Sequence, residues 1–237
     1  MPRRPTFARR WATAARWPAG VALTSWRYMW RTTPLYRSEI EGSWPDDAPP
    51  ELPDDVSHDE VQRVPHGAGR FFHRRYTVRI DDSQLSPEEL ISSVAADPDQ
   101  AAPREFATFK KVRGQEGVMA AGDEYVVRMP GPWDGPVRVV ERTPTSFRLA
   151  TLAGHLEAGQ IRFSATASDR TEFTIESWAR SGDRLSDLLY DRLRMSKEVQ
   201  FHMWTSFLEG VVKLSGGRRD GGLAIVTRRV EDPPDDA

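Results

Sequence analysis

The sequence has no cysteine among its 237 residues, and its five histidines follow no metal-binding spacing such as H-x-x-x-H. Disulfide bonds, a thiolate nucleophile and cysteine-ligated zinc are therefore excluded, and we expect no metal site. No apolar run approaches the roughly 18–20 residues that a membrane-spanning helix requires. The composition, with 38% hydrophobic and 29% charged residues, is typical of a soluble globular chain.

The sequence also lacks the short motifs of common enzymes and nucleotide-binding proteins. It contains no G-x-S-x-G, no P-loop, no G-x-G-x-x-G and no H-E-x-x-H. The familiar hydrolases, nucleotide-binding enzymes and zinc proteases therefore have no support, and we expect no cofactor. The net charge is only −2 and no basic stripe runs through the chain, so nucleic acid is not an expected partner.

Residues 1–38 form a basic arm with eight arginines and no acidic residue. Two helices are expected there, and helical spacing brings aromatic and basic side chains together: Trp26, Arg27, Trp30 and Arg31. One interpretation is that the tryptophans pack on the body of the protein or across a homodimer. Another is that the arm lies on an anionic membrane surface, and a third is a targeting peptide. We expect a cytoplasmic protein, with the inner membrane surface as the alternative location.

An acidic, proline-rich segment follows the arm at residues 39–60. It holds nine acidic residues and no lysine or arginine. This composition opposes a packed element, so we expect a solvated linker or a segment that lies along the basic arm. The globular body is expected at 61–230, and a disordered acidic tail at 231–237.

The body begins with "GRFFHRRYTVRI", whose alternating residues indicate a strand with one buried face. A helix follows, because Ser86 and Glu89 have the spacing of a capping box and Pro87 suits the first helical position. Turn residues at intervals of 10–15 positions then predict an antiparallel meander. Its strands are expected at 105–113, 122–130, 136–143, 146–153, 157–167 and 171–180.

The longest helical pattern lies after the meander, at about 183–215, and Gly216 and Gly217 end it. A last edge strand is expected at 223–230. About 30 helical residues span roughly 45 Å, enough to cross a sheet from end to end. We therefore predict an α+β, helix-grip fold, in which a curved antiparallel sheet of about six or seven strands grips the C-terminal helix. Any space left unfilled between them would be a ligand cavity.

This order of elements is similar to the helix-grip fold of the START-like (SRPBCC) superfamily, over about residues 70–216. Within that group, "GHLEAGQIRFSA", "EFTIESWAR" and "VQFHMWTSFLEG" resemble a bacterial family known as domain of unknown function 1990. The resemblance implies a ligand-binding fold with no assigned reaction. Gln160 stands where the family's G-H-x-E-x-G-E-x-x-F-like stretch has an acid. The other positions of that stretch match it: Gly154, His155, Glu157, Gly159 and Phe163.

His155 and Glu157 are the first candidate site residues. Alternation places them on one strand face with the apolar Ile161 and Phe163, and so at the mouth of the expected cavity. There they orient the polar end of a ligand, act as an acid/base couple, or hold the end of a hairpin. A bulge at Gly159 would instead turn both side chains outward.

The long helix supplies further candidates. Ser196 and Gln200 are uncharged polar residues on an otherwise apolar stripe that includes Met203. If they are buried they need partners, and these are either a ligand or the backbone of a strand. Trp133, at the tip of a proline- and glycine-rich turn, is a candidate lid or oligomer contact.

Three functions are consistent with these features. The first is non-covalent binding of a small hydrophobic or amphipathic ligand, such as a lipid. The second is a cyclase- or hydrolase-type enzyme that uses His155 and Glu157 as general acid and base. The third is a peripheral membrane or partner-binding module that acts through the arm. Structural roles are expected for three other residues: His73 at the surface, and His202 and Trp204 off the helical stripe toward the arm.

Overall fold

The computed structural model describes most of the chain after the first 33 residues. The predicted arm helices with their tryptophans and arginines lie outside it, as do Trp133 and the tail from residue 232. Within helix residues 195–199 the backbone is described and the side chains are not. The described ranges are 34–44, 46–57, 59–103, 107–128, 134–182 and 195–231.

The described residues form an open, mostly antiparallel sheet of nine strands, in the order β1-β9-β2-β8-β7-β6-β5-β4-β3. Every neighbouring pair is antiparallel except β1 and β9, which are parallel. The strands are β1 (Leu35–Glu41), β2 (Ala68–Asp81), β3 (Thr108–Arg113), β4 (Glu124–Arg128), β5 (Asp134–Thr143), β6 (Ser146–Thr151), β7 (Glu157–Ala167), β8 (Thr171–Ser181) and β9 (Arg218–Val230). The prediction of six or seven strands was too low, partly because β1 comes from a segment expected to be arm and linker.

Helix α1 spans Pro87–Ala96 and begins with the predicted capping box. The Ser86 hydroxyl accepts from the Glu89 backbone N–H at 3.2 Å, and the Glu89 carboxylate accepts from the Ser86 N–H at 2.8 Å. Both bonds satisfy N–H groups that the first helical turn leaves without a partner. The inward side of α1, with Leu90, Ile91 and Val94, is fully buried.

Helix α2 spans Met195–Leu214 and packs across one face of the sheet, against β2, β8 and β9. We call this the inner face. The main core lies between it and the helices, and Phe207, Leu208 and Val211 of α2 are at most 1% exposed. The helix ends before Gly216, whose φ of 69° suits a residue without a side chain. Neither helix among the described residues has the length and apolar character needed to cross a lipid bilayer.

The acidic segment expected as a linker covers the opposite, outer face of the sheet. Residues 42–66, here called the outer strap, carry Asp47, which is 5% exposed, and Val61, which bridges to Leu152. Leu52 and Val56 pack on a small apolar cluster with Val61. The strap is ordered against the sheet because its carboxylates and proline carbonyls meet partners that are distant in the sequence, which composition does not reveal.

Candidate functional site

Strand β7 carries the candidate residues with the predicted alternation. Its pairing with β8 is continuous from Glu157 opposite Ser181 to Ala167 opposite Thr171, so no bulge interrupts it at Gly159. Gly159 has a φ of 153°, and a Cβ there would lie 1.9 Å from the Trp178 carbonyl oxygen. The glycine is therefore needed for close strand contact, and Glu157 stays on the same face as Phe163.

Phe163 lies in an aromatic cluster that fills the interior beneath α2. Its ring stacks on Phe147 at 4.7 Å between centroids, and it meets Trp204 at 5.7 Å and Phe207 at 5.5 Å. The prediction that Trp204 lies off the stripe was wrong, because the apolar side of α2 is wide enough to turn this ring toward the core. Phe163 and Met203, which is 6% exposed, are both part of that core.

The polar candidates meet at one end of this interior. Gln200 donates from Nε2 to a Glu157 carboxylate oxygen at 2.7 Å, and it accepts from the Arg74 guanidinium at 3.5 Å. Arg74 is only 2% exposed, and its guanidinium lies over the Phe72 ring, 4.4 Å from the centroid. Glu157 and Gln200, chosen from separate elements, are thus directly bonded. We call Arg74, Glu157 and Gln200 the polar end.

Arg74 is the member of the polar end that the sequence analysis missed. It lies an even number of positions from the buried Tyr76 and Val78 along β2, so strict alternation predicts that it faces the same side of the sheet. On the inner face it pairs with Ser177 of β8 and Thr227 of β9. Thr227 is 2% exposed, so a polar band continues across the sheet beside Arg74.

His155 holds the hairpin before β7 rather than joining the Glu157 carboxylate. Its Nδ1 accepts a hydrogen bond from the Glu157 backbone N–H at 2.9 Å. Burial lowers the pKa of His155, outweighing the attraction of Glu157, so the imidazole is neutral at pH 7. Gln62 fixes the same turn by donating to the His155 carbonyl at 3.2 Å. The arrangement lacks the imidazole–carboxylate bond of an acid/base couple.

Ser196 lies in the described part of α2, one turn before Gln200, and its side chain is not described. Trp133 lies outside the described residues, so its role as a lid stays a prediction. Of the residues predicted to bind a ligand, the structure therefore joins two at the polar end, places two in the core and leaves His155 in the adjoining turn.

The family model described as Domain of unknown function (DUF1990) matches residues 45–207. The chain belongs to the DUF1990 family. No curated protein matches it. The match begins within the outer strap and ends within α2, so all but the first three residues of the strap lie inside the DUF1990 domain.

Several solved structures share a weaker likeness with this DUF1990 protein. A conserved protein from Geobacillus kaustophilus is 13% identical and has a TM-score of 0.43, with 62% of this chain and 98% of that chain covered. A hypothetical protein from Helicobacter pylori is 11% identical with a TM-score of 0.42, covering 61% and 87%. Ginseng major latex-like protein 151 from Panax ginseng is 13% identical with a TM-score of 0.37, covering 57% and 99%.

The outer face of the DUF1990 domain holds a buried charge cluster that was not predicted. His73, expected at the surface, is 5% exposed, because the outer strap covers it. Its Nδ1 lies 2.6 Å from an Asp47 carboxylate oxygen, and its Nε2 lies 2.9 Å from one of Glu176. The imidazole also stacks on Trp178, with 5.1 Å between ring centroids. His73 therefore ties the strap to the sheet.

Glu176 is the centre of that cluster. Burial alone would raise its pKa, but hydrogen bonds from His73, Arg75 and Arg162 lower it from the ordinary 4.5 to about 2. The Arg75 bond measures 2.6 Å, and the Glu176 side chain is 3% exposed. A carboxylate held this firmly has a structural role on the outer face.

Gln160 joins the sheet to the strap. Its carbonyl oxygen accepts from Arg148 at 2.7 Å, and its amide donates to the Pro50 carbonyl at 2.9 Å. Arg148 also donates to the Glu51 carbonyl and pairs with Glu141 at 2.6 Å. An acid at position 160 would lack the donor for Pro50, so the glutamine matches this particular contact.

A surface depression of about 450 Å³ lies at the far end of the sheet from the polar end. Its walls carry paired charges, with Arg170 2.7 Å from Asp81 and Arg218 2.6 Å from Asp82. Its lining residues are Ile80, Asp81, Asp82, Ser83, Ala167, Ser168, Asp169, Arg170, Thr171 and Arg218. These exposed ion pairs account for its polar character.

Proposed function

We propose that this protein binds a small amphipathic molecule between the inner face of the sheet and α2, as a helix-grip fold would. The observation that carries the proposal is the polar end, in which a buried arginine, an amide and a carboxylate are bonded in series at one limit of an apolar core. Such a pattern suits a molecule with one polar and one apolar end.

The cost of burying Arg74 supports a binding role. A hydrophobic residue of similar volume would often serve stability as well as a buried, hydrogen-bonded guanidinium does. Arg74, Gln200 and Glu157 together offer both donors and acceptors. A hydroxyl or a carboxylate on the ligand matches that set, and an uncharged alkane does not.

The aromatic cluster limits where the apolar part of the ligand lies. Phe147, Phe163 and Phe207 are already packed against one another, so the ligand contacts the side of the core nearer to Gln200. Met203 and Phe201, both buried on α2, form the apolar wall there. Ser196 lies one helical turn from Gln200 along α2, and its contact with the same ligand stays a prediction.

Displacement of 1-anilinonaphthalene-8-sulfonate from the full chain tests this function. Dodecanoic acid and dodecan-1-ol serve as competitors that have the same apolar tail and different head groups. Arg74→Met should weaken dodecanoic acid roughly tenfold, because a charge-assisted hydrogen bond is lost, and should change dodecan-1-ol affinity by less than about threefold.

Arg79→Met is the matched control, since Arg79 lies on the same strand with its side chain 59% exposed, and it should leave both affinities unchanged. Thermal melting confirms that each variant is folded. Failure of the dye and both competitors to bind the wild-type chain would reject the proposal, as would equal loss of both competitors in Arg74→Met.

No observation favours the acid/base alternative, because His155 accepts from the backbone of Glu157 and the Glu157 carboxylate accepts from Gln200. Action through the N-terminal arm, at an anionic membrane surface or a homodimer, stays a prediction, as does the cytoplasmic location. The arm residues concerned lie outside the described part of the chain.

A further inference from the structure

Strand β1 forms one edge of the sheet. Within the described residues, β1 has a neighbouring strand on one side only, β9. The Pro34 carbonyl accepts from the Leu223 N–H at 3.0 Å, and the Gly42 N–H donates to the Arg229 carbonyl at 2.6 Å. Because backbone groups alternate along a strand, the even positions of β1 point at β9 and the odd positions point away from it. The odd positions therefore direct their backbone donors and acceptors away from β9.

The same edge exposes apolar side chains on the outer face. Tyr36 is 64% exposed and Ile40 is 47% exposed, and they are two of the four large hydrophobic residues that are exposed in the described part of the chain. They lie two positions before and two positions after Ser38. Exposed edges with apolar residues are places where another strand adds.

We propose that β1 pairs antiparallel with β1 of a second copy of the chain, about a twofold axis that passes through Ser38. The odd positions then exchange backbone hydrogen bonds across the axis. Tyr36 of one copy lies opposite Ile40 of the second copy, so the exposed apolar side chains cover each other on the outer face.

The charges of β1 select this alignment. With the axis at Ser38, Arg37 lies opposite Glu39 of the second copy, and the symmetry repeats this ion pair. Moving the axis to Arg37 would place two arginines face to face, and moving it to Glu39 would oppose two glutamates. Like charges directly opposite each other destabilise a strand pair, so the sequence LYRSEIE favours one alignment.

Contacts within the chain orient both charges for this role. Arg37 lies over the Phe201 ring at 4.8 Å, and the Glu39 carboxylate accepts from Arg229 at 2.6 Å. The paired copies would share one continuous sheet with both α2 helices on the same side.

Disulfide cross-linking tests the axis, because the chain has no cysteine of its own. Ser38→Cys places the two thiols in a pair without backbone hydrogen bonds, where Cα atoms are about 4.5 Å apart and a disulfide fits. Tyr36→Cys and Ile40→Cys are controls on the same face, with their symmetry mates about 13 Å apart along the strand. With oxidised glutathione, Ser38→Cys should cross-link roughly tenfold faster than either control.

Sedimentation equilibrium provides an independent measurement. The wild-type chain should give twice the monomer mass of 26.8 kDa. Ser38→Lys should return it to the monomer mass, because two lysines would meet on the axis. Its melting temperature should match that of the wild type at dilutions where the wild type is also a monomer. Val112→Lys, at an exposed position of the opposite edge strand β3, is the control and should remain a dimer.

A monomer mass for the wild type at about 100 µM would overturn the proposal. So would equal cross-linking at positions 36, 38 and 40. A dimer that Ser38→Lys leaves intact would place the interface elsewhere, the N-terminal arm included, and would also overturn it.

Discussion

At the scale of single residues, Glu176 shows how a buried carboxylate sets the response to acid. Its pKa in the folded protein, about 2, lies below the ordinary 4.5. The ionised form is therefore favoured by folding, and its stabilisation is complete above about pH 4.5 and is lost as the pH falls toward 2. Glu176→Gln should lower the free energy of unfolding at pH 7 by about 3 kcal/mol.

The difference in free energy of unfolding between wild type and Glu176→Gln should shrink by roughly half at pH 3, because Glu176 binds a proton in the unfolded chain there while the folded protein keeps it ionised. Urea unfolding at the two pH values measures it. Glu172→Gln is the matched control, since Glu172 is an exposed glutamate on the same strand, and it should change stability little at either pH. An equal difference in free energy of unfolding at pH 7 and pH 3 would contradict this account.

Single residues also show what alternation along a strand predicts well. The inward placement of Glu157 and Phe163 follows from the strand pattern, and the continuous β7–β8 pairing agrees with it. Arg74 obeys the same pattern and was overlooked because its charge suggested solvent. His73 was assigned to the surface for a similar reason, although its cover comes from a segment 26 positions away in sequence.

At the scale of elements, the sequence predicts a helix or strand well when the residues that stabilise it are close together in the chain. Helix α1 was predictable because Ser86 and Glu89 cap it from three positions apart. Strand β1 was not predictable, because it pairs with β9 across nearly the whole chain, Leu35 opposite Leu223. The outer strap has a composition typical of a linker, and only its distant partners on the sheet order it.

Gln160 should therefore control how firmly the outer strap is held. Gln160→Leu removes the bonds to Pro50 and Arg148 and leaves a buried guanidinium with fewer acceptors, which should destabilise the strap by about 1–3 kcal/mol. Hydrogen exchange at the backbone amides of Asp47 and Gln62 should accelerate about tenfold or more. Gln115→Leu, in an exposed turn, is the control, and equal exchange rates in both variants would contradict the role of Gln160.

At the scale of the whole molecule, the two faces of the sheet are covered by different kinds of structure. The outer face is closed by the strap over a charge cluster centred on Glu176, and the inner face meets α2 through an apolar core that ends at Arg74, Gln200 and Glu157. The sequence predicted that a long helix packs on an antiparallel sheet, because the helical stripe and the strand alternation are local patterns. It did not reveal how far aromatic rings fill the space between them, since that depends on packing between β6, β7 and α2.

Phe163→Leu separates the core from the proposed ligand site. Loss of the ring from its contacts with Phe147, Trp204 and Phe207 should lower the free energy of unfolding by about 1–2 kcal/mol. Dodecanoic acid affinity should change by less than about threefold, because the polar end and its apolar wall are untouched. Phe109→Leu, a half-buried aromatic on edge strand β3, should cost less stability and serves as the control. A tenfold loss of affinity in Phe163→Leu would place the ligand among the aromatic rings instead, and the polar end would then be one side of a deeper site.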